Sequence, residues 1–241
     1  MRVLRTRGLA GASGARGTVI VIDVLRAFTT AAYALEAGAR EIWLVATPAE
    51  ALALRAERPE LVLVGEVGGK PIPGFDHGNS PERMRALGAA ELTDRTLVLR
   101  SSSGVQGALR AMATATHCLL GSLVCASATA RAARRLGLDV TLVAMGSPDE
   151  TGPDGPEDEA CAELLAALLG DEQPDLDRIV RTVRESPAAR QALDPTIDWI
   201  TPGDLECALA IDLFDLAIAA ERPSRSDRRL RDDGRLIARR T

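Results

Sequence analysis

The sequence predicts an α/β fold in which helices flank a largely parallel sheet. Short apolar runs rich in Val, Leu and Ile alternate along the chain with segments of helical periodicity. Runs that are apolar throughout suit strands covered on both faces. The chain has 241 residues, of which 46% are hydrophobic and 26% charged, so it is long enough to bury a full core. The alternation of strand and helix favours a sheet covered by helices.

The predicted elements follow in chain order. Strands are predicted at 18–23, 41–46, 61–65, 96–99, 118–121 and 140–145. Helices are predicted at 29–37, 48–57, 81–87, 105–113 and 127–136, with a further group after Pro156. The glycines in "EAGAR" and "RLGLD" are expected to end two of these helices before the next strand begins.

One α/β domain is predicted over residues 1–221, with a helical C-terminal part from about residue 157. The glycine- and proline-rich stretch "GSPDETGPDGPEDE" is the best loop candidate and separates the two parts. Residues 222–241 are highly charged and are expected to form a solvated tail or a small docking segment rather than a core element.

Composition narrows the classes of function. The chain lacks an apolar run of membrane-helix length and a secretory signal, so a cytoplasmic location is expected. The four cysteines show no CxxC pairing, which argues against zinc and disulfides. A net charge of -5 gives no general attraction to nucleic acid or to anionic lipid. The expected partner is therefore a small molecule, and a homodimer is one candidate assembly.

Two acids follow predicted strands, Asp23 in "IDVLRA" and Glu66 in "GEVGG". In open α/β sheets, ligands collect where strands end. Convergence of the two carboxylates would suit Mg²⁺, which takes hard oxygen ligands and fills its shell with water and phosphate. Each acid by itself is also typical of a helix cap or a turn.

The stretch "RSSSGVQ" joins a predicted strand to a predicted helix. Its serines, its backbone N–H groups and the positive end of the helix could form an anion cradle. The spacing and the lysine of a P-loop are absent. An ordinary serine-capped helix explains the same pattern.

Polar residues crowd into the turn-rich segment "GGKPIPGFDHGNSPERM", where Asp76, His77 and Asn79 are candidate functional groups. Ser80 and Pro81 also read as a plain helix start. Asp158, in "GPEDEACAELL", is a candidate metal ligand, although acids at this position are favoured by the helix dipole alone.

The chain resembles the 2-phosphosulfolactate phosphatase family in blocks that occur in the same order along residues 18–169. These blocks are "VIDVLRAFTTAAYALEAGAREIWLVATPAEA", "GEVGGKPIPGFDHGNSP", "LVLRSSSGVQGA", "LLGSLVCASATA" and "PEDEACAELL", with a weaker continuation in "SPAARQAL" and "DLECALAIDLFDLAIAAER".

The resemblance implies a Mg²⁺-dependent phosphomonoester hydrolase with a three-layer α/β/α fold and a largely parallel or mixed sheet. Its implied substrate is a small anionic phosphate ester, 2-phospho-3-sulfolactate, which yields 3-sulfolactate and phosphate. Matching positions imply catalytic roles for Asp23, Arg26, Asp76 and Asn79, phosphate binding by Ser101, Ser102, Ser103, Gly104 and Ser122, and metal binding by Asp23, Glu66 and Asp158. Gly78 and Glu157 match the family blocks as well.

Two departures from the family pattern leave alternatives open. Ser103 and Cys125 stand where the family usually has Asn, so a catalytically silent phosphate- or sulfonate-binding homologue is one alternative. A haloacid-dehalogenase-like phosphatase with Asp23 as nucleophile is another, although its motif requires an acid where this chain has Leu25. The nucleophile also stays open: Asp23 attacks phosphorus itself, or it ligates Mg²⁺ while a metal-bound water attacks.

Overall fold

One sheet of ten strands forms the centre of the protein, as shown by a computed structural model that describes residues 1–146, 155–223 and 234–241. The strands are β1 Val3–Arg7, β2 Thr18–Ile22, β3 Glu41–Leu44, β4 Val62–Val67, β5 Lys70–Pro71, β6 Thr96–Arg100, β7 His117–Gly121, β8 Val140–Ala144, β9 Ile218–Glu221 and β10 Leu236–Arg240.

Helices connect most of these strands. They are α1 Gly8–Gly14, α2 Ala27–Glu36, α3 Pro48–Glu57, α4 Pro81–Leu92, α5 Gly104–Ala111, α6 Ala126–Leu136, α7 Pro156–Gly170, α8 Leu176–Arg184, α9 Pro187–Leu193 and α10 Pro202–Ala208, and a short 3-10 turn precedes α6 at Leu123–Cys125. In the described part of the chain, no helix combines the length and the apolar character needed to cross a membrane.

The sheet contains two groups of parallel strands that run in opposite directions. The strand order is β1-β8-β2-β7-β9-β10-β3-β6-β4-β5. Strands β1, β8, β2 and β7 are mutually parallel, as are β3, β6 and β4. Three antiparallel pairings, β7 with β9, β9 with β10, and β10 with β3, join the groups. Because each antiparallel pairing reverses the strand direction and there are three of them, β2 and β6 point in opposite directions.

Alternation along β2 explains why its residues from Val19 to Ile22 are all apolar. Val19 and Val21 belong to one hydrophobic cluster, and Ile20 and Ile22 belong to another on the opposite face. Successive side chains of a strand point to opposite faces, so both faces of β2 are packed against other elements. The predicted three-layer α/β/α arrangement is confirmed, with a mixed sheet.

Helix ends follow the local signals in the sequence. Thr47 accepts a hydrogen bond from the Glu50 N–H at 3.2 Å and caps α3, with Pro48 as its first residue. After α6, Gly137 adopts a left-handed conformation with φ +69°, which glycine tolerates without strain. The predicted end of α6 in "RLGLD" is therefore confirmed.

All the predicted strands are present within one or two residues of their expected ends, whereas β1, β5, β9 and β10 were not predicted. The expectation of a solvated tail over 222–241 is wrong for residues 236–240. These residues form β10, which lies between β3 and β9, and Leu236, Ile237 and Ala238 are buried. Most of the predicted loop "GSPDETGPDGPEDE" lies outside the described residues.

Candidate active site

Asp23 lies at the end of β2, where its carboxylate meets two helices. It is 6% exposed. Its Oδ1 accepts a hydrogen bond from the Ala27 N–H at 2.9 Å, and its Oδ2 accepts one from the Gly104 N–H at 2.8 Å. Ala27 is the first residue of α2 and Gly104 is the first residue of α5. The positive ends of both helices therefore stabilise a negative charge on Asp23.

Residue 104 must be glycine for α5 to come this close. A Cβ built on Gly104 would lie 2.5 Å from Asp23 Oδ2 and 2.7 Å from Asp23 Cβ. Both distances are far inside van der Waals contact, and a close-packed interior gives no room to relieve them. The contact between β2 and the turn after β6 thus depends on the missing side chain.

Glu66, on β4, binds the same turn from the other strand group. It is 6% exposed. Its Oε1 accepts from the Ser102 N–H at 2.5 Å, and its Oε2 accepts from the Gly69 N–H at 2.6 Å and from Ser102 Oγ at 3.0 Å. Asp23 and Glu66 therefore contact positions two residues apart in one turn. The structure brings these two predicted site residues together, although their strands run in opposite directions.

Two further acids, Glu157 and Asp158, come from the first turn of α7. Asp158 accepts hydrogen bonds from the Val24 N–H at 2.7 Å and from the Gly146 N–H at 2.8 Å. Both side chains are buried, and Glu157 Oε2 is a buried oxygen without a hydrogen-bond partner. An unpaired buried acceptor is costly, so Glu157 Oε2 marks a place that suits a cation or a donor group.

Burial and neighbouring negative charges raise the pKa values of Asp23 and Asp158. Burial, opposed by the hydrogen bonds to Ala27 and Gly104, raises the pKa of Asp23 to about 6, and the charge of Glu66 adds to the rise. Burial and the charges of Glu157 and Asp23 raise the pKa of Asp158 well above its usual value. Like charges in a low-dielectric interior favour protonation, so a bound cation would be stabilised here. Strongly perturbed carboxyl groups of this kind cluster at functional sites.

Arg26, 5% exposed, supplies positive charge beside the acids. Its Nη2 donates to the Gly69 carbonyl at 2.8 Å, and its Nη1 donates to the Trp199 carbonyl. Burial lowers the pKa of Arg26, while Asp204, Glu66 and Asp23 act in the opposite direction. Arg26 is thus held by two backbone carbonyls close to Glu66.

Two further groups, the Asp204 carboxylate and the Trp199 carbonyl, contact Arg26 although no sequence motif pointed to them. Asp204 is 0% exposed and its Oδ2 lies 3.4 Å from Arg26 Nη1. In the sequence, Asp204 reads as the third residue of a capping box that begins at Thr201, and the structure does contain that capping box. The capping box alone explains why an acid stands at position 204, so the sequence offers no reason to place Asp204 in the site.

Asp76 lies apart from the buried acids. It is exposed, it accepts from the Leu63 N–H at 2.7 Å, and it forms an ion pair with Arg55. Its backbone N–H also donates to the Leu63 carbonyl at 3.0 Å. These contacts attach the "GFDHGNSP" loop to the edge of β4, so the observed contacts of Asp76 are structural.

The rest of this loop turns back toward the site. Asn79 is 3% exposed, and its Oδ1 is buried without a hydrogen-bond partner. Ser80 donates from Oγ to Asp204 Oδ1 at 2.5 Å. His77 lies on the outer side with Arg83, and burial followed by the Arg83 charge lowers its pKa. Asn79 is thus the residue of this loop with a buried, unpaired acceptor.

The serine-rich turn differs from the predicted open anion cradle. The N–H groups of Ser102 and Gly104 donate to Glu66 and Asp23, and the Val105 N–H donates to Ser101 Oγ at 2.9 Å. Ser103 Oγ donates to the Gly146 carbonyl at 2.6 Å. The turn therefore positions the acids through its backbone. The capped-helix interpretation accounts only for the Ser101 contact, since Ser103, the residue before α5, makes no side-chain bond to the helix.

Ser122 and Cys125 occupy the interior behind β7. Both are 0% exposed, and Ser122 Oγ lies 3.6 Å from Cys125 Sγ. Thr129 also donates to Cys125 Sγ, at 3.7 Å. Burial raises the pKa of the Cys125 thiol. The Cys125 side chain packs against the start of α6 and has no exposed surface for contacting a ligand.

The donor set of the site fits a hard cation. Asp23, Glu66, Glu157 and Asp158 offer carboxylate oxygens, and Glu157 Oε2 is unpaired. Within residues 1–146, 155–223 and 234–241, no group of three or more His, Cys, Asp or Glu side chains is arranged to hold a metal ion by itself. Mg²⁺ commonly binds through one or two carboxylates and keeps several waters, so this set is compatible with it.

A family model described as 2-phosphosulpholactate phosphatase matches residues 6–194. The chain belongs to the 2-phosphosulfolactate phosphatase family. Proteins named probable 2-phosphosulfolactate phosphatase from Bacillus subtilis and Deinococcus radiodurans are 39% and 41% identical to it over 150 and 167 residues. These alignments cover 62% and 68% of this chain, and 63% and 68% of the two relatives. The chain thus aligns with less than two thirds of the Bacillus subtilis protein.

The region that matches the 2-phosphosulfolactate phosphatase model, residues 6–194, contains most of the site residues but not all of them. Asp23, Arg26, Glu66 and Asp158 lie inside residues 6–194. Asp204 lies beyond it, although its side chain contacts Arg26. The site is therefore completed by a segment that the family match does not cover.

Proposed function

We propose that this chain is a phosphoric monoester hydrolase that converts 2-phospho-3-sulfolactate and water to 3-sulfolactate and phosphate, with Mg²⁺ as cofactor. The proposal is supported by family membership and by one structural observation. Buried carboxylates from two strand groups and α7 meet beside a buried arginine, and burial raises the pKa of Asp23 to about 6 although the Arg26 charge acts in the opposite direction. Such a site favours a cation together with the dianionic phosphate that it accompanies.

Of the predicted ligands Asp23, Glu66 and Asp158, Asp23 and one of the other two would hold the Mg²⁺ ion, with water completing its shell, because no three acids of the described residues are arranged to hold a metal ion together. A divalent cation in this position supplies charge that stabilises the phosphoryl oxygens in the transition state. Asp23 is kept in place by the Ala27 and Gly104 N–H groups, so the ion would meet a carboxylate of fixed orientation. Fixed donors need no reorganisation during the reaction.

Arg26 would bind the phosphoryl group from the other side. Two of its N–H groups are anchored on the carbonyls of Gly69 and Trp199, which leaves other donors of its five for the substrate. A guanidinium matches phosphate geometry better than an ammonium does. Asn79, with its unpaired Oδ1, would orient a donor group of the substrate or the attacking water.

Lys70 lies where a second anionic group of the substrate would be expected. Its Nζ lies 5.1 Å from the centre of the Trp199 ring, and the neighbouring Gly69 contacts both Arg26 and Glu66. The proposed substrate carries carboxylate and sulfonate groups in addition to phosphate. Lys70 would attract these groups through charge at the edge of the site.

The test is an assay of inorganic phosphate release with purified protein. 2-Phospho-3-sulfolactate is compared with 2-phospholactate and p-nitrophenyl phosphate, each with Mg²⁺ and with EDTA. We expect kcat/KM for phosphosulfolactate to exceed that for phospholactate by at least about tenfold, since an extra anion is worth about 1.4 kcal/mol or more. Activity should disappear in EDTA.

A second readout does not depend on turnover. Mg²⁺ should raise the Tm of the wild type, because an ion that binds only the native state stabilises it. Binding of phosphosulfolactate without release of phosphate would instead support the silent homologue. Trapping of a phosphorylated Asp23 after acid quenching would support Asp23 as the nucleophile.

A further inference from the structure

Asp204 connects two parts of the site through opposite oxygens of one carboxylate. Its Oδ1 accepts from Ser80 Oγ at 2.5 Å and from the Glu82 N–H at 3.2 Å. Its Oδ2 accepts from the Thr201 N–H at 3.1 Å and lies 3.4 Å from Arg26 Nη1. One side of Asp204 thus faces the end of the "GFDHGNSP" loop, and the other faces the arginine of the "DVLRA" block.

These contacts exceed what a helix cap requires. The capping box of α10 uses Thr201 and the bond from the Thr201 N–H to Asp204. The bonds to Ser80, Glu82 and Arg26 reach residues more than a hundred positions away in the chain. A carboxylate that only capped α10 could face solvent, whereas Asp204 is 0% exposed.

Burial makes the pair of Arg26 and Asp204 sensitive to the loss of either partner. Arg26 is 5% exposed and Asp204 is 0% exposed. A buried charge whose partner is removed is left uncompensated. The carbonyls of Gly69 and Trp199 would still accept hydrogen bonds from Arg26 but would not neutralise it. Arg26 would then shift toward Asp23 and Glu66, which are the remaining negative charges near it.

We propose that Asp204 is a positioning residue that keeps Arg26 and the Asn79 segment in register with the buried acids, and thereby sets the affinity of the site for a phosphate group. The proposal goes beyond the proposed function, because it assigns a role to a residue outside residues 6–194, which the family model matches. The role of Asp204 depends on the proposed phosphatase activity only in experiments that measure release of phosphate from an ester.

The test is a double-mutant cycle of Asp204→Asn and Arg26→Gln, with inorganic phosphate as the probe in isothermal titration calorimetry. Asp204→Asn keeps the shape of the side chain and removes its charge. We expect it to weaken phosphate binding by about 30-fold in the wild type and by less than about threefold in the Arg26→Gln background, since residues that act through each other are not additive. Equal losses in both backgrounds would overturn the proposal.

Two controls separate positioning from simple stability. Thr201→Ala removes the cap of α10 but leaves Asp204 and Arg26, and should lower the Tm with less than about a twofold change in phosphate affinity. Glu41→Gln removes another buried carboxylate with an arginine partner, Arg239, away from the site. It should likewise leave phosphate affinity unchanged. A loss of affinity in either control as large as that of Asp204→Asn would refute a specific role.

If Asp204→Asn does not fold, Ser80→Ala decides the question. This variant keeps the charge of Asp204 and removes one of its anchors on the loop, together with the bond by which Ser80 caps α4. We expect phosphate binding about three- to tenfold weaker, and unchanged affinity would contradict the proposal. Phosphate binding keeps this test distinct from the proposed function: absence of ester turnover refutes the phosphatase activity, whereas additivity in the cycle refutes the role of Asp204.

Discussion

Asp23 and Asp76 belong to the two most distinctive blocks of the sequence, yet the structure gives them opposite environments. Asp76 is exposed and forms an ion pair with Arg55. Asp23 is buried, accepts hydrogen bonds from the Ala27 and Gly104 N–H groups, and faces the charges of Glu66, Glu157 and Asp158. A carboxylate with its own cation is already satisfied, whereas clustered carboxylates gain from binding one.

The largest expected difference between the two positions is in catalysis. Asp23→Asn should reduce phosphate release by at least about 1,000-fold, because it removes both a cation ligand and a fixed charge. Asp76→Asn serves as the matched control and should retain activity within about threefold. Initial rates at saturating Mg²⁺ measure both. If both variants lost the same amount of activity, burial would not distinguish a catalytic acid from a structural one.

The contact between Asp23 and Gly104 provides the next test. Gly104→Ala should force Asp23 or α5 to move, which costs about 2 kcal/mol of unfolding free energy and lowers activity strongly. Gly14→Ala is the matched control, because a Cβ on Gly14 meets no atom within 4 Å. Its effect on stability should be within about 0.5 kcal/mol. Urea unfolding measures the stability of both variants. If Gly104→Ala were as stable as the wild type, the close contact between α5 and Asp23 would not be required for folding.

The raised pKa of Asp23 predicts a specific pH dependence. The native state holds the Asp23 proton more tightly than the unfolded state, so this contribution is fully present below the usual pKa of 3.8 and is lost as pH rises through about 6. Without metal, the stability of the wild type relative to Asp23→Asn should fall by up to about 3 kcal/mol from about pH 4 to about pH 8. Urea unfolding in EDTA at several pH values measures this difference, and a flat or rising profile would contradict the shift.

The smallest expected effect concerns the exposed ion pair. Asp76→Asn removes the charge that pairs with Arg55 but can still accept from the Leu63 N–H. Partly exposed ion pairs contribute less than about 1 kcal/mol, so the Tm should fall by a few degrees at most. The effect should shrink as salt is added. A large, salt-independent loss of stability would instead assign Asp76 to the core of the fold.

The sequence predicted those parts of the fold that rest on local pattern. Strand β2 is an uninterrupted apolar run, and α3 begins at a Thr-Pro pair, so both were predicted within a residue. Strand β10, with the sequence "LIARR", was read as a charged tail, because the neighbours that bury Leu236 and Ile237 are distant in the chain. Patterns of a few residues cannot report pairing with a strand that lies so far away.

The sequence predicted some residues of the site, but the reason these residues lie together differs from the reason that selected them. The rule that strand ends share one edge of a parallel sheet selected Asp23 and Glu66, but their strands run in opposite directions. The residues meet because the turn from Ser101 to Gly104 reaches both of them. Asp204 could not be selected in this way, since a capping box accounts for its sequence pattern and only burial reveals its other contacts.

The central position of β10 has a consequence for synthesis of the protein on the ribosome. Arg239 pairs with Glu41, which is 198 positions earlier. Until the last strand has emerged, β9 and β3 cannot be joined, and each presents an unpaired edge that could associate with another chain. Until β10 is in place, the two strand groups are incomplete half-sheets, and this is the stage of folding at which association with other chains is most favoured.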